Sequence, residues 1–210
     1  MENILSGNWN GLSWGFLEAP YLRSDLTYLF PEELAQFSKL QLAKRKQEFL
    51  AIRALRHYFK LNAAIHYQEG GAPYLANQAA VQISISHCAS GYLFGTAPFP
   101  IGVDVESVTA KALRIAPRFL NAHEHALIAP ATPLMATLFW SAKEAMFKLA
   151  GLKNVLFSKQ LIIHTCERHE KNQFWMEASI CDGSSQKAVL IYGELFDGFL
   201  LTLARFKPAP

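Results

Sequence analysis

The chain has 210 residues, 51% hydrophobic and 12% aromatic, with 20 Lys and Arg against 17 Asp and Glu. That composition excludes a disordered chain, and a formal charge of +3 is too mild for a nucleic-acid coat while leaning toward anionic partners. Three widely spaced cysteines (Cys88, Cys166 and Cys181) with no CxxC pair exclude a disulfide framework and a structural zinc and favour a reducing compartment.

The opening residues lack the basic start of a signal peptide. The most apolar stretch, residues 188–205, is broken by Gly193, Glu194, Asp197 and Gly198, so no membrane span and a cytoplasmic location are expected. Residues 31–61 read as helical. Pro31 suits a first helical position, Glu32 and Glu33 suit the positive end of the helix dipole, and Leu50, Leu55 and Tyr58 continue an apolar stripe; a break is expected near Phe37-Ser38. Gly70-Gly71-Ala72-Pro73 reads as a turn. Val81–His87 alternates apolar and polar residues, the period of a half-buried strand, and strands are expected at about 91–96 and 101–106 around Pro98-Phe99-Pro100. A helix should start at Thr132 as N-cap, with Pro133 at its first position, and stop at Gly151. Strands follow near 174–180, 187–195 and 199–206, the last two joined through Asp197-Gly198. Helices thus precede strands in each half, which makes the class α+β.

Four segments carry chemistry. In Ile101-Gly-Val-Asp-Val-Glu106, alternation puts Val103 and Val105 on one face and Asp104 and Glu106 on the other, ~6.5–7 Å apart. Two carboxylates on a rigid strand repel, and either a hard divalent cation or neighbouring basic side chains must offset that. From Phe139 to Gly151, Met135, Leu138, Ala142, Met146 and Leu149 form a core-facing stripe, while Trp140, Glu144 and Lys148 lie four apart in another row. That row is either a solvated Glu–Lys pair or, because it carries a large aromatic, the lining of a cleft. Asp104, Glu106 and Glu144 together suit one Mg²⁺, with Lys148 placed to neutralise a transferring phosphoryl group.

Ser84-Ile-Ser-His-Cys88 ends the expected strand with Ser86 and His87; no Gly-x-Ser-x-Gly elbow accompanies them, so a phosphate contact or a structural role fits better than a hydrolase. Arg45 and Arg53, slightly over two turns apart, lie on broadly one side of their helix; they suit phosphate or form a solvated basic face. His123 and His125, two apart on a helix, do not share a face for a metal.

Gly102-Val-Asp-Val-Glu106 and Trp140-Ser-Ala-Lys-Glu-Ala-Met-Phe-Lys148 resemble the G-x-D-x-E and W-x-x-K-E-x-x-x-K signatures of the 4′-phosphopantetheinyl transferases, of the longer type related to surfactin and enterobactin enzymes. Arg45-x-x-Glu48-Phe49 with Arg53, Gly71-x-Pro73 and Ser84–Cys88 add to the resemblance, which runs from about residue 45 to 151. It implies a pseudo-dimer of two similar α+β halves, each with a small antiparallel sheet and helices, 1–99 on the coenzyme A 3′-phosphate side and 100–210 with the metal strand and Lys/Glu helix, the active site between them. It implies Mg²⁺-dependent transfer of the 4′-phosphopantetheine arm of coenzyme A to a serine of an apo acyl or peptidyl carrier protein, an acidic helical bundle, with adenosine 3′,5′-bisphosphate released. In the positions that match, Asp104, Glu106 and Glu144 hold the metal, Glu144 is also a candidate base, and Lys148 steadies phosphate. Arg45, Arg53, Ser86, His87 and Lys143 bind the coenzyme. A monomer is implied, with no nucleic-acid partner. Ala72 stands where many relatives carry Lys, Glu33-Leu-Ala-Gln36 where surfactin-type members carry lysines, and Ile52 where Gly is usual. A metal-dependent nuclease or phosphohydrolase and a non-catalytic coenzyme-binding relic are the alternatives.

Overall fold

The computed structural model describes residues 4–22, 25–170 and 172–208, in two compact units, Met1–Phe99 and Pro100–Pro210. The class is mixed α+β with antiparallel sheets. No described helix is long and apolar enough to cross a membrane.

The first unit opens with a hairpin absent from the sequence expectations, β1 (Leu5–Trp9) and β2 (Leu12–Glu18). Its turn is Asn10-Gly11, both at positive φ (48° and 82°), the backbone that matches the twist of a two-residue hairpin. The helical segment divides into α1 (Pro31–Lys39) and α2 (Ala43–Tyr58), so the break lies at 40–42 rather than at Phe37-Ser38. Four strands follow: β3 (Ile65–Tyr67), β4 (Pro73–Leu75), β5 (Gln82–His87) and β6 (Gly91–Ala97). The last of them returns beside β2, giving a sheet in the order β1-β2-β6-β5, with β3 and β4 paired apart. Leu17, Leu50, Ala51, Leu55, Ile65 and Phe94 meet in the core.

One buried carboxylate ties this unit together. Glu33, at the third position of α1, accepts the N–H of Phe30 (3.2 Å), the N–H of Ile65 in β3 (3.0 Å), Arg53 Nε (3.2 Å) and Arg56 Nη1 (2.8 Å). Arg56 also donates to the carbonyls of Ala63 and Tyr28. A fully buried carboxylate is tolerable only when hydrogen-bonded and charge-matched, and Glu33 is both.

In the second unit β7 (Ile101–Ser107) leads to α3 (Ala110–Phe119), α4 (Ala122–Leu127), α5 (Pro133–Ala150) and the single turn α6 (Phe157–Gln160). Then come β8 (Leu161–Glu170), β9 (Gln173–Asp182), β10 (Ser185–Leu195) and β11 (Phe199–Phe206), in the sheet order β7-β11-β10-β9-β8. The boundaries of α5 follow from its caps. The Thr132 hydroxyl accepts the N–H of Met135, Pro133 occupies the first turn, and Gly151 closes the helix at φ 61°. Leu138, Phe139, Ala142, Ala145 and Met146 are fully buried against the sheet, each large apolar side chain contributing about 1.5–3 kcal/mol.

Two features hold α5 on β7 and β11. A Cβ at Gly102 would stand 1.9 Å from the carbonyl oxygen of Ala145, so the helix backbone rests directly on the strand where there is no side chain. Ser141 Oγ and Thr202 Oγ1 share a buried hydrogen bond of 2.8 Å, and Thr202 is the β11 partner of Asp104.

Candidate active site

Because Gly102 lies under α5, the strand's two-residue period brings Asp104 and Glu106 to the same face. Trp140 Nε1 donates to Glu106 Oε1 at 2.9 Å. Two turns further along, Lys148 Nζ donates to Asp104 Oδ1 (2.8 Å) and to the carbonyl of Val103 (3.0 Å). The helix therefore runs antiparallel over the strand, and Glu144, one turn from each contact, faces the carboxylate pair between them. Trp140 is held edge-on to Phe119 and stacked on Phe157, with centroids 5.2 and 5.7 Å apart.

The electrostatics match this crowding. Burial, and then the Asp104 charge, push Glu144 up to about 7, against the pull of Lys148. Burial and Asp104 raise Glu106 too, opposed by the Trp140 hydrogen bond, Lys111 and Lys148. This row of α5 faces the carboxylates of β7 and is not a solvated Glu–Lys pair; of its residues, Trp140 lines a small half-open cleft.

Among the described residues no group of three or more His, Cys, Asp or Glu side chains is arranged as a ready metal site. One oxygen of Asp104 is taken by the Lys148 ammonium and one of Glu106 by the Trp140 indole, so the expected three-carboxylate cage is not preformed. The donor set nonetheless fits a hard divalent cation: three half-buried or buried carboxylates, mutually repelling, with oxygen ligands alone.

Three coenzyme-binding expectations need correction. Lys143 is 0% exposed, and its ammonium donates to Glu124 (2.7 Å) and to the carbonyls of Phe119 (2.8 Å) and Phe157 (3.0 Å). With three acceptors in place, its ammonium is engaged within the unit. Arg53 is 2% exposed, turned to Glu33 and laid over the Phe49 ring at 3.6 Å. It does not share an open face with Arg45, which is 61% exposed. Ser86 is buried, and as the neighbour of His87 on β5 it points to the opposite face of the strand.

What the first unit does bring together is Arg45, Glu48 and His87. Arg45 Nη1 lies 2.7 Å from one oxygen of Glu48 and His87 Nε2 3.5 Å from the other. Both basic groups are solvent-facing, bridged by a largely buried carboxylate.

Sequence reasoning passed over Lys111 and Thr137. Both line a small half-open cleft with Glu106, Thr109, Ile115 and Trp140. Thr137 was findable: it lies three residues before Trp140 and seven before Glu144, on the same row of α5.

An α+β unit whose acidic strand lies beneath a Trp/Glu/Lys helix row defines a class of carboxylate-and-lysine sites suited to phosphoryl chemistry. Residues 100–203 match the family model described as the 4′-phosphopantetheinyl transferase superfamily, and this stretch of the chain is a domain of that superfamily. No curated protein matches the chain. The family assigns the chain a transferase chemistry, movement of a phosphopantetheinyl group.

Proposed function

We propose that the protein transfers the 4′-phosphopantetheine arm of coenzyme A to a serine hydroxyl of an apo acyl or peptidyl carrier protein, in a Mg²⁺-dependent reaction that releases adenosine 3′,5′-bisphosphate. The observation that carries this reading is the crossing of α5 over β7, which sets Glu144 and Lys148 against Asp104 and Glu106.

Asp104, Glu106 and Glu144 would hold the cation, which supplies charge neutralisation at the pyrophosphate. The serine oxygen forms a bond to the phosphorus that bears pantetheine, and the bond from that phosphorus to the bridging oxygen breaks. The hydroxyl proton passes to Glu144, which faces the carboxylate pair of β7, directly or through water. Lys148, already 2.8 Å from Asp104, is positioned to steady the departing oxygen. No nucleophile is asked of the enzyme, since the partner brings it; positioning and charge do the rest. Arg45 and His87 are the candidates for the 3′-phosphate of the coenzyme, as guanidinium and imidazole N–H donors. A mildly basic chain suits an acidic carrier.

The test is to incubate the protein with coenzyme A, Mg²⁺ and several apo carriers, and to weigh the carriers. A gain of about 340 Da, the mass of the arm, is expected on the carrier serine. Unmodified carriers together with cleavage of DNA, RNA or a nucleotide would establish a nuclease or phosphohydrolase instead; coenzyme binding without transfer would establish a relic.

A further inference from the structure

The five-stranded sheet has a second face, turned away from α5. Phe174 and Met176 of β9 are buried in the core that α5 shares, so Trp175 between them stands on the opposite side, 41% exposed. Directly across the ladder from Trp175 lie Tyr192 of β10 and Glu167 of β8. The next row on the same face is Glu194, Gln173 and Glu170. The Tyr192 ring meets Trp175 edge-on at 6.2 Å, and His169, the extra residue of a bulge in β8, brings its ring to 5.5 Å. A tryptophan held in place by two neighbouring rings yet open to water is the kind of side chain that contact surfaces use.

The charge around this aromatic group has one sign. Among the described residues, none of Glu167, Glu170 and Glu194 is in an ion pair, whereas Glu177, one row away, is paired with Lys207 at 2.9 Å. Glu194 accepts from the Tyr192 hydroxyl at 2.7 Å. Burial first, then Glu194 and Glu170, push the phenol above its ordinary range, which shows how close these carboxylates stand. Carboxylates gathered without an internal cation favour an external one. A metal does not suit them, since among the described residues no group of three or more His, Cys, Asp or Glu is arranged to hold one. An indole beside carboxylates suits a guanidinium, whose flat face stacks on the ring while its N–H edge meets an oxygen pair. The two rows lie about 6.5–7 Å apart, which is also the side-chain repeat of an extended chain.

We infer that this face of β8, β9 and β10 is a docking surface for an arginine-bearing extended segment of a partner protein, with Trp175 as its anchor and Glu167, Glu170 and Glu194 as its charge complement. The inference stands apart from the transfer reaction, whose carboxylates lie on the α5 side of the sheet. An acidic carrier is repelled here, so the partner is a different one.

The probe is the peptide acetyl-Arg-Thr-Arg-Thr-Arg-amide, titrated into the full chain at low salt. Of the four tryptophans only Trp175 is exposed, so its fluorescence reports binding, with calorimetry as the second readout. Trp175→Ala is expected to weaken the peptide by about fivefold, and Trp175→Phe, which keeps an aromatic face, to restore most of that. The double variant Glu167→Gln with Glu170→Gln is expected to weaken it by about fivefold as well and to flatten its salt dependence. Both glutamates are exposed, so this variant tests the surface without touching the core. Carrier labelling by all of these variants should match the wild type. A wild-type chain that does not bind the peptide, variants that bind it as the wild type does, or equal binding of the peptide with Glu in place of Arg would each overturn the proposal. So would a dimer in sedimentation that Trp175→Ala dissolves, because the face would then belong to a second copy of this chain.

Discussion

The two units repeat one plan and use it differently. Each runs from a strand through helices to four further strands, and in each the last strand pairs antiparallel with the one that precedes the helices, β2 with β6 and β7 with β11. Each carries a fully buried glutamate at the third position of a helix, Glu33 or Glu124. Each glutamate accepts the N–H that precedes its helix and an N–H of the following strand, Ile65 or Ile163. Each glutamate also receives a cation from the long helix, Arg53 and Arg56 in one unit and Lys143 in the other. The long helix crosses its strand at a glycine in both: Gly15 under Leu55 and Phe59, Gly102 under Ala145 and Leu149.

Matching the crossings matches the residues around them. Asp104 corresponds to Leu17, Glu144 to Ala54 and Lys148 to Tyr58. Leu17 and Ala54 are core residues. The lesson is that the glutamate–cation tie belongs to the framework of both units, whereas the carboxylate face is an addition to one. It also explains why Lys143 and Arg53, attractive as phosphate ligands in the sequence, are spent on the framework.

The comparison can be broken most forcefully at the buried ties. Lys143→Met leaves Glu124 buried without its ammonium and should cost about 3–5 kcal/mol, read as a shift of the urea midpoint. Arg53→Met should cost less, about 2 kcal/mol, because Arg56 remains on Glu33. Equal losses would show that Arg56 does not hold Glu33 once Arg53 is removed.

The glycine crossings come next. At Gly102 an added methyl meets backbone at 1.9 Å, and at Gly15 it meets only the side chains of Phe59 and Leu55 at 3.1–3.2 Å. Gly102→Ala should therefore destabilise by about 3 kcal/mol and displace α5, while Gly15→Ala should cost about 1 kcal/mol or less. Similar values in chemical denaturation would mean that α5 does not rest on β7 by its backbone.

The smallest contrast lies at the helix starts. Thr132 caps α5 with its hydroxyl, and Leu42 gives α2 no side-chain cap. Thr132→Ala should lose about 1 kcal/mol and Leu42→Asn should gain about 0.5 kcal/mol, both measured by thermal unfolding.

The sequence made α5 legible from end to end, since Thr132, Pro133 and Gly151 act within one turn of themselves and the stripe from Leu138 to Leu149 repeats at the helical period. The acidic strand and the β9–β11 meander were legible for the same local reasons. Burial of charge was not. Arg53 and Lys143 read as free cations because their glutamates lie 20 and 19 residues away, a separation that no periodicity reports. β8 was missed since its second half, Thr165-Cys-Glu-Arg-His-Glu170, is too polar to read as a strand, and β3 and β4, at three residues each, are too short for a pattern. The Asn10-Gly11 hairpin carried a clear local signal and could have been read.

The account's central claim, that chemistry belongs to the carboxylate face of the second unit, is tested most directly by Glu144→Gln in the carrier-mass assay. The side chain keeps its size and loses its charge and its proton affinity. The account predicts that labelling of the carrier falls by at least about a thousandfold while coenzyme A still binds. Labelling at the wild-type rate would remove Glu144 from the reaction and contradict it.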